Sequence, residues 1–175
     1  MELLKRIANT IDTISEYVGR AISWVALALV VLVFVCVVLR YAFKTSFVWM
    51  QELQWWFFSY VFLIGAGYTL LHDAHVRVDI IYQRLGFKGK AWINLIGTVV
   101  FLIPGCLLVI LTSWNFVLSS YRVMEGSLDP GGLPYMFLVK AAIPVGFVLL
   151  LMQGLSLGLH SFLQVTGHEI PPKER

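Results

Sequence analysis

Charge is what this chain has least of. Only 13% of its 175 residues are Asp, Glu, Lys or Arg, where soluble domains carry roughly 25%. Four stretches hold none at all: Ala21–Leu39, Leu53–Leu71, Ala91–Tyr121 and Ala141–Gly167. A helix rises about 1.5 Å per residue, so a hydrocarbon layer about 30 Å thick needs roughly 20 apolar residues. Each stretch reaches or nearly reaches that length. A soluble fold is excluded, and no stretch remains for a separate soluble domain. The runs are continuously apolar and lack the alternation of barrel strands of about 10 residues, which excludes a membrane β-barrel.

Other scarcities narrow the function. The two cysteines, Cys36 and Cys106, lie inside apolar runs, which excludes a disulfide framework and leaves buried thiols packed as small apolar groups. Neither a glycine-rich phosphate loop nor a nucleophile elbow is present, and no acid–base set assembles, so we expect no enzyme and no cofactor. Ionisable residues within a span are functional candidates. Here none lies away from the span ends; His160 is the deepest, roughly two turns from the end. Coupled transporters place polar ligands near the midplane, so this chain is not expected to form a transport pathway by itself. The basic residues flank spans, and nothing suggests a nucleic-acid partner.

The sequence thus predicts an all-α integral membrane protein with four transmembrane helices and an N-terminal amphipathic helical segment. The expected segments are 1–19, a four-helix membrane domain over 20–165 with spans at about 20–43, 50–72, 91–120 and 136–164, and a tail at 166–175. With the N-terminus inside, that side holds nine basic residues (Lys5, Arg6, Arg20, Arg77, Arg84, Lys88, Lys90, Lys173, Arg175) and the other holds four (Arg40, Lys44, Arg122, Lys140). The positive-inside rule then puts both termini in the cytoplasm. The first run is longer than a signal-peptide core and ends without a small-residue cleavage site, so we expect it to be retained.

Within the first segment Leu4, Ile7, Ile11, Ile14 and Val18 follow helical spacing. Two placements are open: a helix lying in the headgroup layer, or an extension of the first span packed on a partner. The third run is 31 residues long, about 46 Å as straight helix. Pro104-Gly105 near its middle predicts a kink, a strong tilt or a projection beyond the bilayer. Asp129-Pro130-Gly131-Gly132 predicts a turn. Gly154 and Gly158 form a GxxxG spacing that permits close helix approach.

Several residues are candidates for structural or interface roles. Arg40 and Glu52 fall on one side, at facing ends of the first two spans, and either form an interfacial ion pair or stay separately solvated. Trp49, Trp55 and Trp56 belong to an aromatic cluster suited to the membrane interface. His72, Asp73, His75, Arg77 and Asp79 crowd the loop after the second span. We expect them to anchor it to headgroups or a partner, since an isolated HxxH is a weak metal motif. A haem-bearing or other small redox subunit is the rival reading, with histidines as iron ligands. They stand in a loop and at helix ends, where haem would be poorly enclosed.

An ordered set of short motifs adds a resemblance. Arg40-Tyr41-x-Phe43, Phe47-x-Trp49-x-x-Glu52-Leu53, Phe62-Leu63-x-Gly65-Ala66 and His75-Val76-Arg77-Val78-Asp79 are followed by Gly132-Leu133-Pro134, Lys140 and Ile143-Pro144-Val145-Gly146-Phe147. Together, over about residues 20–155, they resemble the small membrane subunit, or Q subunit, of tripartite ATP-independent periplasmic (TRAP) transporters. Gln51 departs mildly from the pattern. The resemblance implies a bacterial inner-membrane system that imports an organic acid on a sodium gradient. A periplasmic solute-binding protein captures the solute, and a large membrane subunit carries it as an elevator. The small subunit clamps that subunit's stationary scaffold in the lipid bilayer. Pro134, Lys140 and Pro144 join the candidate interface residues through their motifs.

Overall fold

The computed structural model describes residues 2–72 and 85–166. Five α-helices account for most of them: α1 (Glu2–Ala42), α2 (Val48–Leu71), α3 (Phe87–Gly97), α4 (Ile103–Arg122) and α5 (Phe137–Val165). Among the described residues there is no strand. Three helices are long and apolar enough to cross a membrane: α1, the rod from Lys88 to Arg122 and α5. The fourth expected span coincides with α2, 24 residues whose first turns carry Gln51, Glu52 and Gln54 among the tryptophans. These polar groups dilute its apolar character.

The N-terminal segment is not a separate element. It continues into the first span as one 41-residue helix, because no proline interrupts it and its only glycine, Gly19, is packed. Gly19 lets the Tyr68 ring lie against the backbone; a Cβ there would come within 2.0 Å of the ring. The helix stops where Lys44 turns left-handed (φ 51°) and the Thr45 N–H bonds back to the Leu39 carbonyl at 3.1 Å.

α3 and α4 run end to end through a π-helical turn, Thr98–Leu102. A proline in the following turn cannot donate to the carbonyl four residues back, and a wider turn accommodates the loss. The turn rests on the glycine face of α5. A Cβ at Gly154 would come within 2.2 Å of the Leu102 side chain, and one at Gly158 within 3.3 Å of Thr98. The GxxxG spacing therefore receives the irregular turn of the rod.

α5 is the central helix, packed against α1, α2, α3 and α4, while α1 and α2 also pack on each other. The α2–α5 crossing is backbone-close at Gly146, where a Cβ would lie 2.5 Å from the Leu63 carbonyl oxygen. The rod leans on α5 alone, without extensive contact to α1 or α2. The bundle is thus open. In the most apolar stretch of α1 no residue is buried, against 33% in that of α5.

Candidate functional site

Polar contacts gather at the two ends of the helices, and each end solves a different problem. At the end carrying the start of α1, the helix shows a second stripe about 100° round from its aliphatic one. Ala8, Ser15 and Gly19 are buried, and Asp12 lies between them in helical register. Small residues let α1 approach α5, and α5 answers with Gln153, Ser156 and His160. Asp12 accepts from Gln153 Nε2 at 2.9 Å and from Ser156 Oγ at 2.6 Å through one oxygen; His160 Nε2 lies 3.1 Å from the other. Ser15 Oγ donates to Gln153 Oε1 at 2.6 Å. The carboxylate is thereby saturated, the condition for holding a charge in an apolar bundle. One turn further on, Glu16 meets Arg20 at 3.0 Å and His72 at 2.8 Å, tying α1 to the end of α2.

The N-terminal segment thus continues α1 and packs on the chain's own last helix, a contact the sequence reading did not foresee. The stripe was present in the sequence at positions 8, 12, 15 and 19, matched by 153, 156 and 160. The neighbouring aliphatic stripe hid it.

At the opposite end Glu52 organises the connection between α4 and α5. It does not pair with Arg40: no Arg40–Glu52 ion pair occurs among the described residues. Instead one carboxylate oxygen accepts from Ser127 Oγ and the other from the Leu133 N–H at 2.5 Å. A serine hydroxyl and a backbone N–H, both fixed in a pre-turned loop, satisfy the two oxygens without the entropy cost of ordering a long arginine side chain. The loop is built for this. Glu125 N–H bonds to the Ser120 carbonyl and Met124 N–H to that of Tyr121, a Schellman closure of α4 with Met124 left-handed at φ 46°. Asp129-Pro130-Gly131-Gly132 makes the expected turn, with Gly131 at φ 83° and Gly132 N–H on the Asp129 carbonyl at 3.0 Å. Gly132 packs so closely that a Cβ would come within 2.7 Å of Glu52 Oε1.

Lys140 lies beside Glu125 at 2.5 Å, its ammonium 4.3 Å from the centre of the Phe116 ring. The lysine holds the Glu125 carboxyl below the usual glutamate range. The remaining sequence candidates are scattered. Arg40 is exposed at the end of α1, beside Met50 and Gln51. Trp56 is buried, while Trp49 and Trp55 are exposed on the outside of α2. Pro134 is exposed in the Glu52-bound loop, and Pro144 is buried in α5. Asp73, His75, Arg77 and Asp79 lie outside the described residues. His72 and His160 each face a carboxylate, Glu16 and Asp12 respectively.

Between the two polar ends the outward faces are apolar. One groove is lined by Trp24, Leu27, Ala28, Val31, Leu32 and Val35 of α1 with Phe57 of α2. An open helical bundle with saturated polar ends and apolar sides is a multi-pass membrane protein. The family described as "Tripartite ATP-independent periplasmic transporters, DctQ component" matches residues 29–162. The chain belongs to this family, as the small permease subunit of a TRAP transporter. It is 28% identical over 143 residues to a protein of Haemophilus influenzae assigned by inference as a TRAP transporter small permease; the match spans 79% of this chain and 88% of that protein. No solved structure matches the chain.

Proposed function

We propose that this subunit is a fixed scaffold, which clamps the large elevator-type membrane subunit during sodium-driven uptake of an organic acid. In this reading the helices make four spans of the bacterial inner membrane, with α2 as the second and both termini cytoplasmic. A periplasmic solute-binding protein delivers the solute to the assembled complex. The observation that carries the reading is the open bundle. α1 exposes Trp24, Leu27, Val30, Val31 and Phe34 along one side, a surface suited to lipid or to a partner's helices. The carboxylates of Asp12, Glu16 and Glu52 are spent on contacts within the chain.

The aromatic outer face of α2, with Trp49 and Trp55, would fix the depth of the complex at the periplasmic interface. The crowded loop after α2, with His75, Arg77 and Asp79, would anchor the opposite end to headgroups or the large subunit.

Three measurements test this. Cysteines at Lys88 and Asp129 should label from opposite sides of the membrane; labelling of both from outside refutes the topology. A tagged chain should co-purify with the large subunit, and deleting it should abolish uptake. Normal uptake by the large subunit and binding protein alone, or saturable solute binding to this chain by itself, overturns the scaffold role.

A further inference from the structure

A groove of about 350 Å³ opens between α1, the α3–α4 rod and α5. Ile7 and Ile11 form one wall, Leu95, Val99 and Ile103 the other, and α5 supplies a floor with a depression at Gly158. It exists because α1 and the rod both lean on α5 without extensive contact to each other. Its deeper end, at Ile103 and Leu155, lies within uncharged runs. Its mouth lies at the charged end, where both walls begin.

We propose that this groove holds one acyl chain of an anionic phospholipid, whose headgroup sits between Arg6 and Lys88. The charge at the mouth carries the choice of lipid. Lys5 and Arg6 stand at the head of α1, and Lys88 and Lys90 at the head of α3, against Glu2 alone in these two segments. Lys88 precedes the wall residue Leu95 by seven positions, two helical turns along the same face. Arg6 and Lys88 are exposed, and neither forms an ion pair with a described residue. The next carboxylates along α1 after Glu2, Asp12 and Glu16, are committed to His160, His72 and Arg20. Basic pockets between helices at a membrane face bind anionic headgroups in this way.

A flexible hydrocarbon chain can follow the irregular, apolar floor of this open groove. The proposal rests on the membrane placement of α3 and α5, and it does not depend on the solute carried.

The test is lipid retention by the assembled complex, taken from nanodiscs of mixed phosphatidylcholine and phosphatidylglycerol and read by native mass spectrometry. Wild type should retain phosphatidylglycerol in preference to phosphatidylcholine. Arg6→Gln with Lys88→Gln should cut that preference about fivefold per cation, leaving phosphatidylcholine retention unchanged. Leu155→Trp, filling the groove from its floor, should lower retention of both. Equal retention of the two lipids by wild type, or an unchanged preference in the double variant, overturns the proposal. A large-subunit cross-link to Val99 would do the same. If no complex assembles, the scaffold reading fails, and the same lipid count on the whole chain alone still decides this one.

Discussion

Gly146→Ala isolates the contact on which the bundle depends. The α2–α5 crossing passes at Gly146 with the Leu63 carbonyl oxygen only 2.5 Å from where a Cβ would stand, and the carbonyl carbon at 2.7 Å. Both are backbone atoms, so no rotamer change relieves the clash. The helices must separate by nearly 1 Å to restore ordinary contact. Overpacking of this kind costs about 1–3 kcal/mol. Alanine's better helix propensity returns about 1 kcal/mol, leaving a net loss of up to about 2 kcal/mol. At about 2–4 °C per kcal/mol for chains of this size, the thermal midpoint in detergent should fall by up to roughly 8 °C. Gly105→Ala is the internal control. It lies in α4 with nothing within 4 Å of the added carbon, so only the propensity gain applies and its midpoint should hold or rise. The assay is loss of the monodisperse peak after heating. If Gly146→Ala matches wild type while Gly105→Ala does not fall, close backbone approach is not what holds α2 to α5.

Three further outcomes follow from the polar ends. Glu52→Gln should loosen the loop after α4, because it replaces two hydrogen bonds to a charged carboxylate by weaker neutral ones, at about 1 kcal/mol. Protease cleavage within 123–136 should rise, whereas Arg40→Gln should leave it unchanged. Asp12→Ala should free the head of α1 by removing the shared acceptor of Gln153, Ser156 and His160. Disulfide trapping between cysteines at Ala8 and Ser156 should slow several-fold; an unchanged rate would show that small-residue packing alone holds the helix. The Glu125 carboxyl is lowered in the folded state by Lys140, so its contribution is complete above the ordinary value of 4.5 and is lost as pH falls below it. Loop protection should therefore decline on acidification below that point, and Lys140→Met should remove the part of the decline that Glu125→Gln also removes.

What the sequence by itself determined was local chemistry. Uncharged runs longer than 19 or so residues have no stable alternative to buried or lipid-facing helix. Asp129-Pro130-Gly131-Gly132 has one favoured turn, since proline presets one torsion and glycine alone takes the next at low cost. The DctQ family was legible too, in the ordered set of short motifs along the chain. Partner choice was not legible. Glu52 lay equally near Arg40 and the loop on any diagram of the spans; only the folded loop, with two donors already aimed, decided between them. Asp12 stands off the aliphatic stripe with no partner evident in the sequence; α5 supplies three from one face. The proline suggested a kink, but the glycine face of α5 determined that the rod answers with a π-turn seated against Gly154 and Gly158. In each case the competing arrangements differ by a few hydrogen bonds or one van der Waals contact, energies that exist only once distant segments are in place.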